Sequence, residues 1–429
     1  MKVAIYWYGA EGQASYRYYK DKGDDVTIIT PKESPDFPIP VDAERYVGDD
    51  AADHLKEYDL VIRSASTRPD SLHTNGKVWS ATNEFFQECK APIIGVTGTK
   101  GKGTTSSWIA SILRAGGKSA HLVGNIGVPP LEKLQEITPD DIVVFELSSF
   151  QLWDLEKSPH IAVVLMVEPD HLNVHMNMDE YIMAKSRIVA HQTAVDSCYY
   201  HPTNSYTQQV VGVGSGGSGE SAKYRYASPE SVYVRDNWFM VGDEKICPVS
   251  AVKLPGGFNI ENACAAVAAA RHYVTDPDAI AQGLTAFMGL PHRLKYVAEK
   301  NGVRFFDDSI ATTPGSAMAA LSSFEDDKVI IIGGATKGAS YGQLLEAIKI
   351  AGAKVVAVGE TGKDFHEECQ SAGVESMYVP GLMDQVVHAA ADMAKGRGVV
   401  LLSPAATSFD QYKSYTDRGN QFIAAVEAL

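Results

Sequence analysis

The sequence predicts an α/β protein of three domains, each a mainly parallel sheet wrapped by helices. Three observations predict it. Short apolar runs that end in polar or glycine turns alternate with stretches of helical periodicity along the whole chain. A chain of 429 residues is too long for one ordinary core. A glycine-rich turn, Gly95-Val96-Thr97-Gly98-Thr99-Lys100-Gly101-Lys102-Gly103-Thr104-Thr105, stands between a strand-like run and a helix-like one. Domains are expected over residues 1–90, 91–290 and 291–429.

Residues 1–90 read as strand Lys2–Tyr8, turn Gly9-Ala10-Glu11-Gly12, helix Ala14–Asp21, strand Asp25–Thr30 and strand Tyr58–Ser64. That order suits a Rossmann-like nucleotide half-fold. Trp7 stands where the first glycine of a dinucleotide motif would be, so a phosphate-bearing ligand and a purely structural turn both stay open. The central stretch opens with the apolar run Pro92–Val96, then the glycine turn, then Ser106–Leu113 with helical spacing, as in a P-loop ATPase-like doubly wound domain. Further strands are expected at Ser119–Val123, Asp141–Glu146, Ile161–Met166 and Val232–Val241. Gly212–Gly219 reads as a flexible surface loop and Asn259–Tyr273 as a helix, with a boundary near Met288–Pro291. Lys328–Ile332, Lys354–Val358 and Gly398–Leu402 are strands of a second Rossmann-like domain.

A net charge of −15 argues against general nucleic-acid or membrane-surface binding, so anionic substrates must be collected by local Lys and Arg. The five cysteines have no paired spacing, which predicts reduced thiols and neither a metal framework nor disulfides. The N-terminus reads as a first strand rather than a signal peptide, and no apolar run is long enough to span a bilayer. A cytoplasmic monomer without membrane insertion is expected.

The glycine turn is an anion site, because free N–H groups and the positive helix end converge there. Lys102 adds a cation for a polyphosphate, and Thr104 or Thr105 offers a hydroxyl to Mg2+. The spacing departs from the usual loop: Val96 stands five before Gly101, and Gly103 follows the lysine, which favours Thr104 as the metal ligand. Glu146 ends one buried strand, and Asp170 and His171 lie just past another, so together they predict a metal cluster. Lys185 lies on a helix among apolar residues; by spacing alone it is a snorkelling surface lysine. A buried one would lose its charge and could form a carbamate with carbon dioxide.

Taken together, Thr97-Gly98-Thr99-Lys100-Gly101-Lys102, Gly124-Asn125-Ile126-Gly127, Glu146-Leu147-Ser148-Ser149-Phe150-Gln151, Asp170-His171 and Lys185 resemble the Mur ligases of peptidoglycan synthesis. The resemblance implies that Gly98, Thr99, Lys100, Gly101, Lys102, Gly103, Thr104 and Thr105 hold ATP. Thr104 and Glu146 would bind one Mg2+, and His171 a second together with a carbamylated Lys185. Asn259 and Asn262 resemble the family's adenine-side asparagines, although in isolation they read as helix caps. Pro291-His292-Arg293-Leu294 resembles the hinge, with Arg293 and Asp307 on the nucleotide.

Leu402–Tyr415 is similar to the D-glutamate-adding branch, implying UDP-N-acetylmuramoyl-L-alanine and D-glutamate as substrates. Asn125, Thr312, Lys337, Ser408, Phe409 and Tyr415 would then contact substrate. Met166, Asn173, Phe258 and Ser64-Ala65-Ser66-Thr67 depart from the family pattern. Two rival readings are a folylpolyglutamate-synthase-like ligase and a nucleotide-binding partner subunit without turnover.

Overall fold

The computed structural model describes residues 1–125, 127–213, 221–335 and 340–429. Its first sheet holds β1 (Lys2–Tyr6), β2 (Asp25–Thr30), β3 (Glu44–Val47), β4 (Leu60–Arg63) and β5 (Lys77–Ser80), in the order β3-β2-β1-β4-β5. Every neighbouring pair is parallel. The chain order reverses between β1 and β4, the place where such sheets open a crevice. Helices cover both faces, so β1 and β4 read as unbroken apolar runs rather than alternating ones.

The expected turn Gly9–Gly12 is instead the first turn of a helix, Ala10–Asp21. Gly12 lies under the preceding chain, where an added Cβ would come within 2.4 Å of the Trp7 carbonyl oxygen. Trp7 itself is left-handed, with φ 72°, a strained conformation for a bulky residue.

The second sheet holds β6 (Ile93–Thr97), β7 (Ala120–Gly124), β8 (Ile142–Glu146), β9 (Ile161–Val164), β10 (Ser197–Tyr200) and β11 (Ala222–Arg225). Its order is β11-β10-β9-β6-β8-β7, parallel throughout, with β6 central. Helix Lys102–Ala115 leaves β6 through the glycine turn and buries Trp108 completely. The Trp108 indole N–H donates to the Leu284 carbonyl at 3.2 Å. Gly283 lets that helix approach, since a Cβ there would come within 2.4 Å of Ile112 Cα.

The parallel pattern stops at β11. Val232–Val241 is not one strand but β12 (Val232–Arg235) and β13 (Trp238–Val241), an antiparallel hairpin extended by β14 (Glu244–Pro248). Asp236 and Asn237 turn it, both left-handed (φ 52° and 60°), as a two-residue primed turn requires.

The last sheet holds β15 (Lys295–Lys300), β16 (Val303–Asp307), β17 (Lys328–Gly333), β18 (Lys354–Val358), β19 (Ser376–Tyr378) and β20 (Val399–Leu402), in the order β15-β16-β20-β17-β18-β19. Only β15 is antiparallel. Alternate residues of β17 enter two cores: Ile330 and Ile332 on one face, Val329 and Ile331 on the other. The chain groups into two compact units, Met1–Val252 with Ile260–Phe287 and Lys253–Asn259 with Met288–Leu429. Among the described residues, no helix is long and apolar enough to cross a membrane.

Candidate active site

The glycine turn departs from β6 at the sheet's carboxyl edge, where open α/β folds receive ligands. Gly98 has φ 147°, and a Cβ on it would lie 2.7 Å from Leu165 Cβ. Gly101 caps helix Lys102–Ala115 at φ 85° with no side-chain cap, so the first N–H groups of that helix stay available to an anion.

Thr99 anchors the turn rather than facing outward. Its N–H donates to Met166 O (2.9 Å), its hydroxyl donates to Glu168 O (3.0 Å), and the Glu168 N–H donates back to that hydroxyl (2.9 Å). Lys100 is exposed and pairs with Glu168 at 3.3 Å. Lys102 curls over the turn, donating to Gly98 O (3.2 Å) and Thr99 O (3.0 Å). Thr104 is nearly buried. The Thr105 hydroxyl is buried with no hydrogen-bond partner among the described residues.

Lys185 overturns the surface reading. It is 1% exposed on helix Met178–Ala190, and its ammonium donates to Gly98 O at 2.9 Å and lies over the Tyr181 ring. Burial, and then Lys102, push its pKa well below the ordinary lysine value, while Asp170 and Glu146 pull the other way. A side chain with a long stem snorkels only where solvent is in reach, and this helix face packs onto β6. Glu146 closes β8, 5% exposed, next to Val96 of β6. Asn125 is exposed, and its N–H donates to Glu146 O at 3.2 Å.

His171 is left-handed (φ 55°) and half exposed, 3.5 Å from Asp170 and packed on Phe150. The metal cluster expected from Glu146, Asp170 and His171 is not assembled. Among the described residues no three His, Cys, Asp or Glu side chains converge on one point. Part of the donor set still suits a hard cation: the Glu146 carboxylate and a threonine hydroxyl.

Sequence reasoning missed His175. It is buried on Phe150 (ring planes 6° apart), with Nε2 3.0 Å from the Ser149 hydroxyl. Only the Asn177 cap after it marks the loop's end, and nothing in the sequence marks this histidine as inward. Also missed was Arg63, whose guanidinium binds Asp154 in a fork and donates to the Ser64, Ala65, Thr67 and Phe150 carbonyls. A charge ending the apolar run Leu60-Val61-Ile62 was its one available signal.

Two family matches cover most of the chain. The Mur ligase middle domain matches residues 96–270, and the Mur ligase glutamate ligase domain matches residues 292–406. The UDP-N-acetylmuramoylalanine–D-glutamate ligase of Acetivibrio thermocellus is 35% identical over 95% of this chain and 90% of its own. The ligase of the same name from Clostridium kluyveri is 34% identical over 90% and 85%. The chain belongs to the Mur ligase family.

Solved structures of the family share its fold. UDP-N-acetylmuramate-alanine ligase MurC of Thermotoga maritima aligns over 100% of this chain and 99% of its own, with TM-score 0.62 at 18% identity. MurF of Acinetobacter baumannii covers 93% and 85%, with TM-score 0.63 at 16% identity. This Mur ligase is an ATP-dependent, amide-forming ligase.

In the Mur ligase, Asn262 lies against the phosphate turn: a Cβ on Gly101 would sit 2.8 Å from its amide nitrogen. Asn259 is no helix cap, because its amide donates to Pro255 O at 2.6 Å instead of accepting an N–H. In the second unit, Asp307 is fully buried, bound to His292 Nδ1 (2.7 Å) and to the Ser309 N–H (3.0 Å). Each of its carboxylate oxygens thus has a partner within the second unit. Asp308 beside it accepts from Ser403 (2.8 Å) and from the Leu294 N–H (3.1 Å). Burial raises its pKa to about 7, against the pull of those two donors.

Arg293 is exposed, and Thr312 is half-buried. Ser408 is buried, Phe409 is exposed, and the Tyr415 ring meets His292 edge-on. Tyr415 O accepts the Ser309 hydroxyl at 2.7 Å. Lys337, Ile126 and most of the Gly212–Gly219 loop lie outside the described residues.

Proposed function

We propose that the protein adds D-glutamate to UDP-N-acetylmuramoyl-L-alanine in peptidoglycan precursor synthesis, forming an acyl phosphate and ADP on the way. One observation carries the reading. Two lysines meet on a phosphate turn in a chain 35% identical, over 95% of its length, to a ligase of that name. The alanyl carboxylate attacks the γ-phosphorus of ATP and ADP leaves. The glutamate amine then attacks the acyl phosphate, and phosphate departs from the tetrahedral intermediate.

The helix N-terminus at Gly101 and Lys102 hold the phosphates and offset charge on the transferring group. Mg2+, when bound, would offset the negative charge of the phosphates. Thr104 and Glu146 would hold one ion, and His171 with carbamylated Lys185 a second. Asn259, Asn262, Arg293 and Asp307 belong to the nucleotide side of this reading. Asn125, Thr312, Lys337, Ser408, Phe409 and Tyr415 belong to the substrate side. The domain boundaries 1–90, 91–290 and 291–429 and a cytoplasmic monomer are parts of the same reading.

A coupled ADP-release assay with UDP-N-acetylmuramoyl-L-alanine and either D- or L-glutamate tests it. ADP release only with the D-isomer is the expected outcome. Release with L-glutamate alone, or no release with either, sinks the assignment.

A further inference from the structure

Arg68 lies on the segment that follows β4 in the first sheet, yet most of its contacts are to elements of the second. Its Nη1 donates to Val174 O (3.3 Å) and Glu180 Oε2 (3.1 Å), and its Nη2 lies 2.8 Å from Glu180 Oε1. Asp70 grips the opposite edge of the guanidinium through Nε (3.0 Å) and Nη2 (2.8 Å). Its Cζ lies over the Trp153 ring, 5.1 Å from the ring centre.

Glu180 gathers the loop that ends at its helix. It accepts the Met176 N–H and the Trp153 indole N–H in addition to Arg68. That loop starts at His171, whose carbonyl accepts the N–H groups of Val174 (3.0 Å) and His175 (2.9 Å). Residues 171–176 are therefore a closed turn held at its far side by Arg68 and Glu180, while the Phe150 ring supports the His171 and His175 rings. A forked, charge-assisted pair shielded on one face by an indole is far stiffer than an ordinary exposed ion pair.

We infer that Arg68 is a positioning residue: through Glu180 and the Val174 carbonyl it fixes the 171–176 turn, and with it the direction of the His171 ring. Arg63, five residues earlier, ties the other end of the same segment to Asp154 and Phe150 O. The segment between the two arginines is thereby fastened at both ends to the elements that carry His171 and its Phe150 support. The role in turnover rests on the proposed ligase reading, whereas the effect on the turn does not.

The test therefore has two arms. In the first, hydrogen exchange of the amides of Val174 and His175 is compared between wild type and Arg68→Gln. Exchange at least about tenfold faster, confined to this turn, is expected from the lost anchor. Unchanged exchange overturns the inference whatever reaction the protein catalyses.

In the second arm, wild-type ADP release tests the ligase reading itself. Given that turnover, Arg68→Gln should lower kcat about ten- to a hundredfold, as a misdirected group does. The KM for ATP should stay within about twofold, with Arg68→Lys recovering part of the loss and Arg68→Gln/Glu180→Gln falling no further than the worse single variant. A kcat within about twofold of wild type overturns the role, as does a fall matched by an equal loss of ATP affinity and of melting temperature.

Discussion

Lys102 and Lys185 converge on one acceptor, the Gly98 carbonyl oxygen, at 3.2 and 2.9 Å. Two cations on one carbonyl repel each other, and the buried one yields: Lys185 is held well below its ordinary pKa by burial first and Lys102 second. A neutral amine at this point is a nucleophile toward carbon dioxide. Lys185→Ala is expected to lose at least about a hundredfold in ADP release. If a carbamate acts there, added short-chain carboxylates restore part of that loss, measured as turnover against carboxylate concentration. No recovery at any concentration would leave Lys185 a structural lysine only.

Lys102 differs, because its ammonium lies on the mouth of the turn. On the proposed reading, Lys102→Ala removes the charge that offsets the transferring phosphoryl group, so ATP-dependent phosphate release should drop to background. Retained turnover above about a tenth of wild type contradicts the phosphate role.

Gly101→Ala probes the turn's geometry. At φ 85°, with Asn262 2.8 Å from the new Cβ, the substitution strains the backbone and crowds a side chain at once. About 1–2 kcal/mol of strain is expected, raising the KM for ATP roughly five- to thirtyfold. An ATP titration of the variant reads this directly, and an unchanged KM would mean the turn does not meet nucleotide.

Asp308 makes a pH prediction. Its folded pKa of about 7 lies above the unfolded carboxylate value, so the folded state keeps a proton that the unfolded chain has lost. The group therefore favours the fold in acid, and that contribution is lost as pH rises toward about 7. Relative to Asp308→Asn, the wild-type unfolding free energy should fall by on the order of 1–3 kcal/mol between about pH 5 and about pH 8. Denaturant titrations of both proteins across that range measure it; a flat or rising difference contradicts the buried, protonated carboxyl.

The parts of the site that lie along the chain could be read from it. Val96 to Thr105 declares a strand, a turn and a helix start in one stretch, and local backbone rules suffice to expect an anion there. Glu146 and His171 were found because apolar runs end at or just before them. What failed were residues whose meaning depends on a partner far away in sequence. Arg63 finds Asp154 and Arg68 finds Glu180, and no pattern within either segment records that pairing. Val232–Val241 misled because a hairpin turning on Asp236-Asn237 has the same apolar content as one longer strand.

The sequence by itself determined the α/β class, the glycine turn between strand and helix and the membership in the Mur ligases, because each is a property of local order along the chain. Only the tertiary structure decided which charges are in water. Helical spacing places Lys185 on a face, but the packing of that face onto β6 makes it 1% exposed and pushes its pKa well below the ordinary lysine value. Likewise two neighbouring aspartates look alike in sequence, yet Asp307 is spent on His292 while Asp308 holds Ser403 and the Leu294 amide. Desolvation and pairing depend on what lies across the fold, and that information is carried by no segment alone.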